Sequence, residues 1–373
     1  MEMKRNKYWK IACLFMLTTL LALSGCNAGQ EGTEKVSGSN AGQDDTNEGA
    51  VSSSDSDSQE TSRLMGDYDT LYDRALVEGK LACYFLCPGG ELAPWTRTNY
   101  GGDAVLFILP DGTTILNDCG TQVDGPQVVW KLQQLGIEKL DYFILSHGHT
   151  DHVGGFSILA RHIEIGQIYA PPQEVMERSD PEGKLFTMIV EEMGIPFTYL
   201  KEGDTLTFGD DVSVKFFNPP VGFGADTSIN LNESSLVWKL TYGDSSFLMT
   251  GDIGNNPDYG QKTEEVLVAK YGNELQADVC KAGHHGSDKV MGSDIWKQTV
   301  NAKIYAFTTA YVRDDVEYFK YALTGAKTFS NALDGDVLVY TTGDGTYDVQ
   351  VAKERTSDYY GTLDTVDGHM RVE

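Results

Sequence analysis

Leu145-Ser146-His147-Gly148-His149-Thr150-Asp151-His152-Val153-Gly154-Gly155 is the stretch on which the reading of this chain turns. Three of the seven histidines and an aspartate fall within six residues, directly after the apolar run Leu140 to Leu145. Imidazole nitrogens and carboxylate oxygens suit zinc and related divalent ions, and a loop leaving the end of a buried strand aims such side chains inward. The glycines let the backbone turn tightly. On this reading His147 and His149 share one ion, while Asp151 and His152 face a second. A His-rich surface loop is the plainer alternative.

Upstream of this loop, apolar runs predict strands at Leu81 to Leu86, Ala104 to Leu109 and Thr113 to Leu116, the last two joined by the turn Pro110-Asp111-Gly112. Val128, Val129, Leu132 and Leu135 recur at helical spacing before Gly136. Downstream, a helix is expected near Val153 to His162, a strand at Gln167 to Ala170 and a helix near Glu182 to Met193. The second half repeats the theme with strands Val212 to Phe217, Leu236 to Tyr242 and Ser246 to Met249, the last two joined by Gly243-Asp244. A helix near Glu264 to Tyr271, a strand Asp278 to Lys281, a helix near Ile295 to Val300 and strands Lys303 to Phe307, Val337 to Tyr340 and Tyr347 to Val351 complete the series. Strands and helices intermingle in both halves, which predicts an α/β fold of two sheets with helices outside, and no linker interrupts residues 64 to 351.

The chain has 373 residues, is 40% hydrophobic and 10% aromatic, and carries a formal charge of -26. Those proportions exclude wholesale disorder and fibrous classes. Lys4, Arg5, Lys7 and Lys10 precede the apolar run Ile11 to Leu23, which is too short to span a bilayer comfortably and has the pattern of a secretory signal. Its exit, Leu23-Ser24-Gly25-Cys26, resembles the lipobox of bacterial lipoproteins, which makes Cys26 the lipidation site; an ordinary signal peptide is the alternative. Residues 27–62 are rich in Gly, Ser, Asn, Asp and Glu and read as a disordered acidic linker. The expected organisation is therefore a signal peptide over 1–26, the linker, and a folded domain over 63–373, exported and lipid-anchored to the outer face of the bacterial cytoplasmic membrane. Cys83, Cys87, Cys119 and Cys280 remain in the folded part. A Cys83–Cys87 bridge would need a bend in a strand, so buried free thiols are the competing reading.

The histidine loop resembles the His-x-His-x-Asp-His motif of the metallo-β-lactamase superfamily. Asn117-Asp118-Cys119-Gly120 is similar to the superfamily's Asp-x-Gly turn, whose aspartate supports the ligand loop from behind. Thr250-Gly251-Asp252 resembles its metal-bridging aspartate, and Ala282-Gly283-His284-His285-Gly286-Ser287 its last histidine motif. Gly101-Gly102-Asp103-Ala104 and Asn232-Glu233-Ser234-Ser235-Leu236-Val237 resemble segments of the branch containing ComEC-type competence proteins. The resemblance implies the αββα four-layer sandwich, two mixed β-sheets flanked by helices.

It also implies two divalent metal ions, zinc first and manganese second. His147, His149 and bridging Asp252 would form one site; Asp151, His152, Asp252 and His284 would form the other. Adjacent side chains on a strand-like segment point apart, so of His284 and His285 one is expected to bind directly and the other to face substrate. The middle histidine of β-lactamases and lactonases is absent; His162 sits at the end of a helix, in the wrong place. Asn232 is a candidate to fill that gap or orient substrate, or it caps a turn.

Such a pair of ions activates water as a bound hydroxide and suits phosphodiester hydrolysis. Asp151 then orients or deprotonates the nucleophile, and His285 or Ser287 assists the leaving group. The expected partners are a phosphodiester substrate, either DNA or a cell-envelope polymer, and a membrane surface through Cys26, with no obligate protein partner. Lys281, Lys289 and Arg313 are too few bases for a nucleic-acid track on so acidic a chain. Surface phosphorylcholine esterases of Gram-positive bacteria share similar motifs, and Trp95, Tyr100 and Trp238 would then offer a cation-binding wall, unless they are simply core aromatics. A non-catalytic binding lipoprotein on the same fold is the alternative from another class.

Overall fold

The computed structural model describes residues 68–88, 102–209, 211–223, 228–255, 261–287, 292–309, 324–353 and 369–372. Expectations for the signal segment and Cys26, the linker, Trp95, Tyr100, Gly101, Lys289 and Arg313 fall outside them. All described residues belong to one compact unit, Ser53–Glu373. Among them, no helix is long and apolar enough to cross a membrane.

The strands are β1 (Leu81–Phe85), β2 (Val105–Ile108), β3 (Thr114–Asn117), β4 (Lys139–Ile144), β5 (Glu164–Ala170), β6 (Phe197–Tyr199), β7 (Thr205–Phe208), β8 (Val212–Asn218), β9 (Val237–Tyr242), β10 (Ser245–Met249), β11 (Val279–Lys281), β12 (Ile304–Phe307), β13 (Lys327–Ser330), β14 (Val337–Thr341), β15 (Tyr347–Val351) and β16 (His369–Val372). They form two mixed sheets, ordered β16-β15-β14-β1-β2-β3-β4-β5-β6 and β13-β12-β11-β10-β9-β8-β7. In the first, β3 through β6 run parallel and the rest antiparallel. In the second, β10 through β13 run parallel. The main helices are α1 (Gly125–Gln134), α2 (Phe156–His162), α3 (Pro181–Met193), α4 (Thr263–Tyr271) and α5 (Asp294–Val300).

Alternation along the strands builds the layers. In β1, Leu81, Cys83 and Phe85 face the second sheet, joining Phe107, Trp238, Leu240 and Phe247 in an inter-sheet core. Ala82 and Tyr84 point the other way, to the core shared with Val128, Leu132, Phe156, Leu159 and Phe186 of α1, α2 and α3. Val237 and Leu248 pack under Leu267, Trp296 and Val300 of α4 and α5. Helix, sheet, sheet and helix thus stack in four layers, as the sequence predicted. The Phe107 and Trp238 rings lie 5.5 Å apart. Burying a side chain of that size contributes about 1.5–3 kcal/mol.

Three differences stand beside one open alternative that the structure resolves. The helix expected from Val153 to His162 is two pieces, the turn Thr150–Val153 and α2, because the Gly155 N–H donates to the Gly120 carbonyl and the Asp151 carbonyl accepts from Asp103. Strands β6, β7, β13 and β16 are not marked in the sequence, because each is three or four residues long with polar residues between or around its apolar ones. Strand β5 begins at Glu164 rather than Gln167. The four cysteines of the folded unit are buried free thiols.

Candidate metal centre

Sheet topology brings the motifs together. Parallel strands β3, β4, β10, β11 and β12 all end at one edge, and antiparallel β2 and β9 begin there. The Leu236 N–H donates to the Ser146 carbonyl at 2.8 Å and so closes one sheet onto the other. Asp103, Asp118, residues 146–152, Asn232, Ser235, Asp252 and residues 281–287 therefore converge at one edge of the two sheets.

Asp151, His152, Asp252 and His285 place their ligand atoms within 4.8 Å of one another. His152 Nε2 is 3.1 Å from Asp252 Oδ2 and 3.8 Å from Asp151 Oδ1. His285 Nε2 is 3.1 Å from Asp151 Oδ2 and 3.6 Å from Asp252 Oδ2. Donors about 2.0–2.1 Å from one tetrahedral ion stand about 3.3 Å apart, so these separations fit a shared cation. His152 Nε2 is buried and makes no hydrogen bond, and carboxylate oxygens of Asp252 and Asp151 face it. The donor set thus fits a divalent metal. Beside it, His147 Nε2 lies 3.0 Å from His149 Nδ1 and 4.0 Å from Asp252 Oδ2, which makes Asp252 common to both groups of donors.

The far sides of the rings are tied down, which sets which nitrogen faces the centre. His152 Nδ1 meets Asp118 Oδ2 at 2.9 Å, and Asp118 also accepts from the Ser146 N–H at 2.7 Å and hydroxyl at 2.6 Å. His285 Nδ1 faces the Thr308 carbonyl at 3.0 Å and Asp103 Oδ1 at 3.1 Å. Asp103, Asp118 and His152 also cluster. Lys281 and His285 pair with the Asp103 carboxylate and Ser146 donates to that of Asp118, so we read that group as support for the centre and not a second one.

Electrostatics follow from burial among carboxylates. Burial pulls the His285 imidazole down, but Asp252 and Asp103 outweigh it and push it up to about 10. His152 is also raised: burial opposes the rise, and Asp252, Asp151, Asp103 and Asp118 overcome it. Burial, with His152 and His149 adding to it, holds His147 well below the ordinary histidine range. Burial would raise Asp151, yet His152 and His285 keep it below the usual carboxylate range. A cation bound here would displace the protons of His152 and His285.

The last histidine motif differs from expectation. His284 and His285 were treated as neighbours on a strand; both instead have left-handed backbone, at φ 42° and 55°. That turn sends His285 into the buried group, while the His284 side chain stays 28% exposed with Nε2 3.9 Å from Asp252 Oδ2. Of the two candidates, His285 thus joins the buried group of donors, and His284 lies beside it, partly exposed.

Asn232 is buried in the turn Leu231–Ser234, and its Oδ1 has no hydrogen-bond partner. The cap of that turn is Asn230, which accepts from the Asn232 N–H at 3.0 Å. The Asn232 carbonyl accepts from the Ser235 hydroxyl, which lies 3.3 Å from His147 Nδ1. Ser287 is buried, and its N–H donates to the His284 carbonyl. His162 is exposed at the end of α2. Trp238 is inter-sheet core, which removes it from any cation-binding wall.

The family model described as "Metallo-beta-lactamase superfamily" matches residues 98–295. The chain belongs to that superfamily. Within it, the chain is 31% identical over 163 residues to ComE operon protein 3 of Bacillus subtilis, covering 44% of this chain and 19% of the relative. It is 28% identical over 200 residues to competence protein ComA of Neisseria gonorrhoeae, covering 53% and 24%. The chain thus spans a quarter or less of the length of these relatives. Among solved structures it is similar to the metallo-β-lactamase fold protein YhfI of Bacillus subtilis, with 18% identity, TM-score 0.45, and coverage of 70% of this chain and 100% of that one. Superfamily membership and the donor set support a metal-dependent hydrolase.

Sequence reading missed Asp103 and Lys281 as parts of the centre. In the sequence Asp103 stands out only as a strand start, and Lys281 only as one of three bases near the last histidine motif. Both are 1% exposed.

Proposed function

We propose that this chain is a metal-dependent phosphodiesterase working outside the cytoplasm, tethered to the membrane through Cys26. The observation that carries the chemistry is the buried group Asp151, His152, Asp252 and His285 with His147 and His149 alongside. Zinc, or in its place manganese, would supply charge to phosphoryl oxygens and lower the pKa of water. Apart from His152, which belongs to the neighbouring donor group, no histidine lies beside His147 and His149 among the described residues, which suits a substrate that brings its own anionic oxygens. The buried, unpartnered Asn232 Oδ1 is the chain's candidate for orienting that substrate.

Asp151 is held ionised, so its role is to orient through its carboxylate and not to take up a proton. His284, partly exposed beside the buried group, takes over from His285 the role of assisting the leaving group, with Ser287 beside it in sequence. Lys281 is consumed in a buried ion pair, and the chain is strongly acidic, which favours a small or envelope-bound phosphodiester over a nucleic acid.

Stripped protein reloaded with zinc or manganese should hydrolyse a chromogenic phosphodiester, and His149→Ala should lose that turnover. Equal turnover by the variant, or none by the reloaded wild type, would sink the reading. Parallel assays with single-stranded DNA and a choline phosphodiester separate the substrate classes.

A further inference from the structure

Lys281 closes β11 with its ammonium buried inside the metal centre, where an uncompensated charge would be very costly. It forms an ion pair with Asp103 Oδ2 at 2.5 Å and donates to the Gly251 carbonyl at 2.8 Å and the Ala282 carbonyl at 3.1 Å. Asp252 Oδ1 is 3.8 Å away. The partner Asp103 extends the network: its Oδ1 faces His285 Nδ1, its N–H donates to the Asp151 carbonyl at 3.0 Å, and its carbonyl accepts from Gly120 at 2.8 Å. The pair thus touches the backbone or side chain of Asp151, Asp252 and His285, or of a residue beside them.

We infer that Lys281 is a positioning residue, a resident cation that with Asp103 locks the loops carrying Asp151, Asp252 and His285 into register before metal arrives. A buried ion pair that merely filled space would have no reason to bind three ligand-bearing segments at once. The inference rests on the metal centre and is independent of the substrate, so it can fail without the phosphodiesterase reading failing, and the reverse.

The test is zinc titration of the stripped full chain by calorimetry, comparing wild type with the double variant Lys281→Met, Asp103→Asn. Removing one charge of each sign leaves the net charge of the centre unchanged, so an altered affinity reports lost positioning. The expected result is zinc binding at least about tenfold weaker, with metal-free thermal unfolding within a few degrees of wild type, as neutral replacement of a buried pair often allows. Wild-type zinc affinity in the variant would overturn the inference. Should the variant not fold, hydrogen exchange on the wild type decides: the amides of Asp103, Asp252 and His284, which donate to the Asp151 carbonyl, Ser235 Oγ and the Gly251 carbonyl, should be protected equally with and without zinc. Protection that appears only with zinc would equally overturn it.

Discussion

His284 and His285 are chemically identical neighbours whose fates differ because of two backbone angles. Consecutive left-handed residues other than glycine are strained, and such strain persists where the surroundings over-determine it. Here Thr308, Asp103, Asp151 and Asp252 hold the His285 ring from both nitrogens. His285→Ala should therefore lose about one bound metal equivalent by elemental analysis. His284→Ala should keep its metal and lose turnover by about 10²-fold or more, the scale of a proton-transferring side chain. Protonation adds a second check. Because His285 is raised to about 10, it is protonated at pH 7 before loading and neutral after it, so zinc binding should release protons. Calorimetry in buffers of different ionisation enthalpy measures that release.

Helices α4 and α5 are joined through one buried acid. The Glu264 carboxylate accepts from the Gly292 and Ser293 N–H groups at 2.7 and 2.8 Å, at the start of α5. Burial outweighs these donors and Lys297 and raises Glu264 from 4.5 to about 7. The folded state then binds the proton more tightly than the unfolded chain, so this group's stabilisation is complete below about pH 4.5 and is lost as pH rises through 7. The loss is on the order of 3 kcal/mol. Between pH 5 and pH 8, urea unfolding should show a loss of stability smaller by about that amount in Glu264→Gln than in wild type. A second junction is set by Gly102, whose missing side chain lets β2 begin against the metal loop: a Cβ there would approach the Asp151 carbonyl to 2.0 Å. That close approach is what allows the Asp103 N–H to reach the same carbonyl.

For the whole molecule, three apolar cores carry the fold and none of them contains a metal donor. The stripped protein should therefore keep its far-ultraviolet circular dichroism. Loading should raise the unfolding temperature by mass action, by about 2.7 kcal/mol for each site at metal 100-fold above its Kd. Collapse of the dichroism on chelation would contradict this separation of core from centre.

The sequence alone determined the layer architecture and the main donors. Long apolar runs with strand or helix periodicity report burial directly, and a dense His-x-His-x-Asp-His cluster has few other uses. The strands holding Leu81, Val105, Leu140, Val237 and Ser245 were legible for that reason, as were His147, His149, His152 and Asp252. Tertiary structure alone decided what depends on contacts distant in the chain or on backbone angles: that Lys281 is a buried partner of Asp103 178 residues away, that His285 and not His284 turns inward, and that hydrogen bonds from Gly155 to Gly120 and from Asp103 to Asp151 split a helix. Periodicity records which face of an element is apolar. It carries no information on which polar groups meet once the two sheets close on each other, because that pairing is set by the strand order at one shared edge.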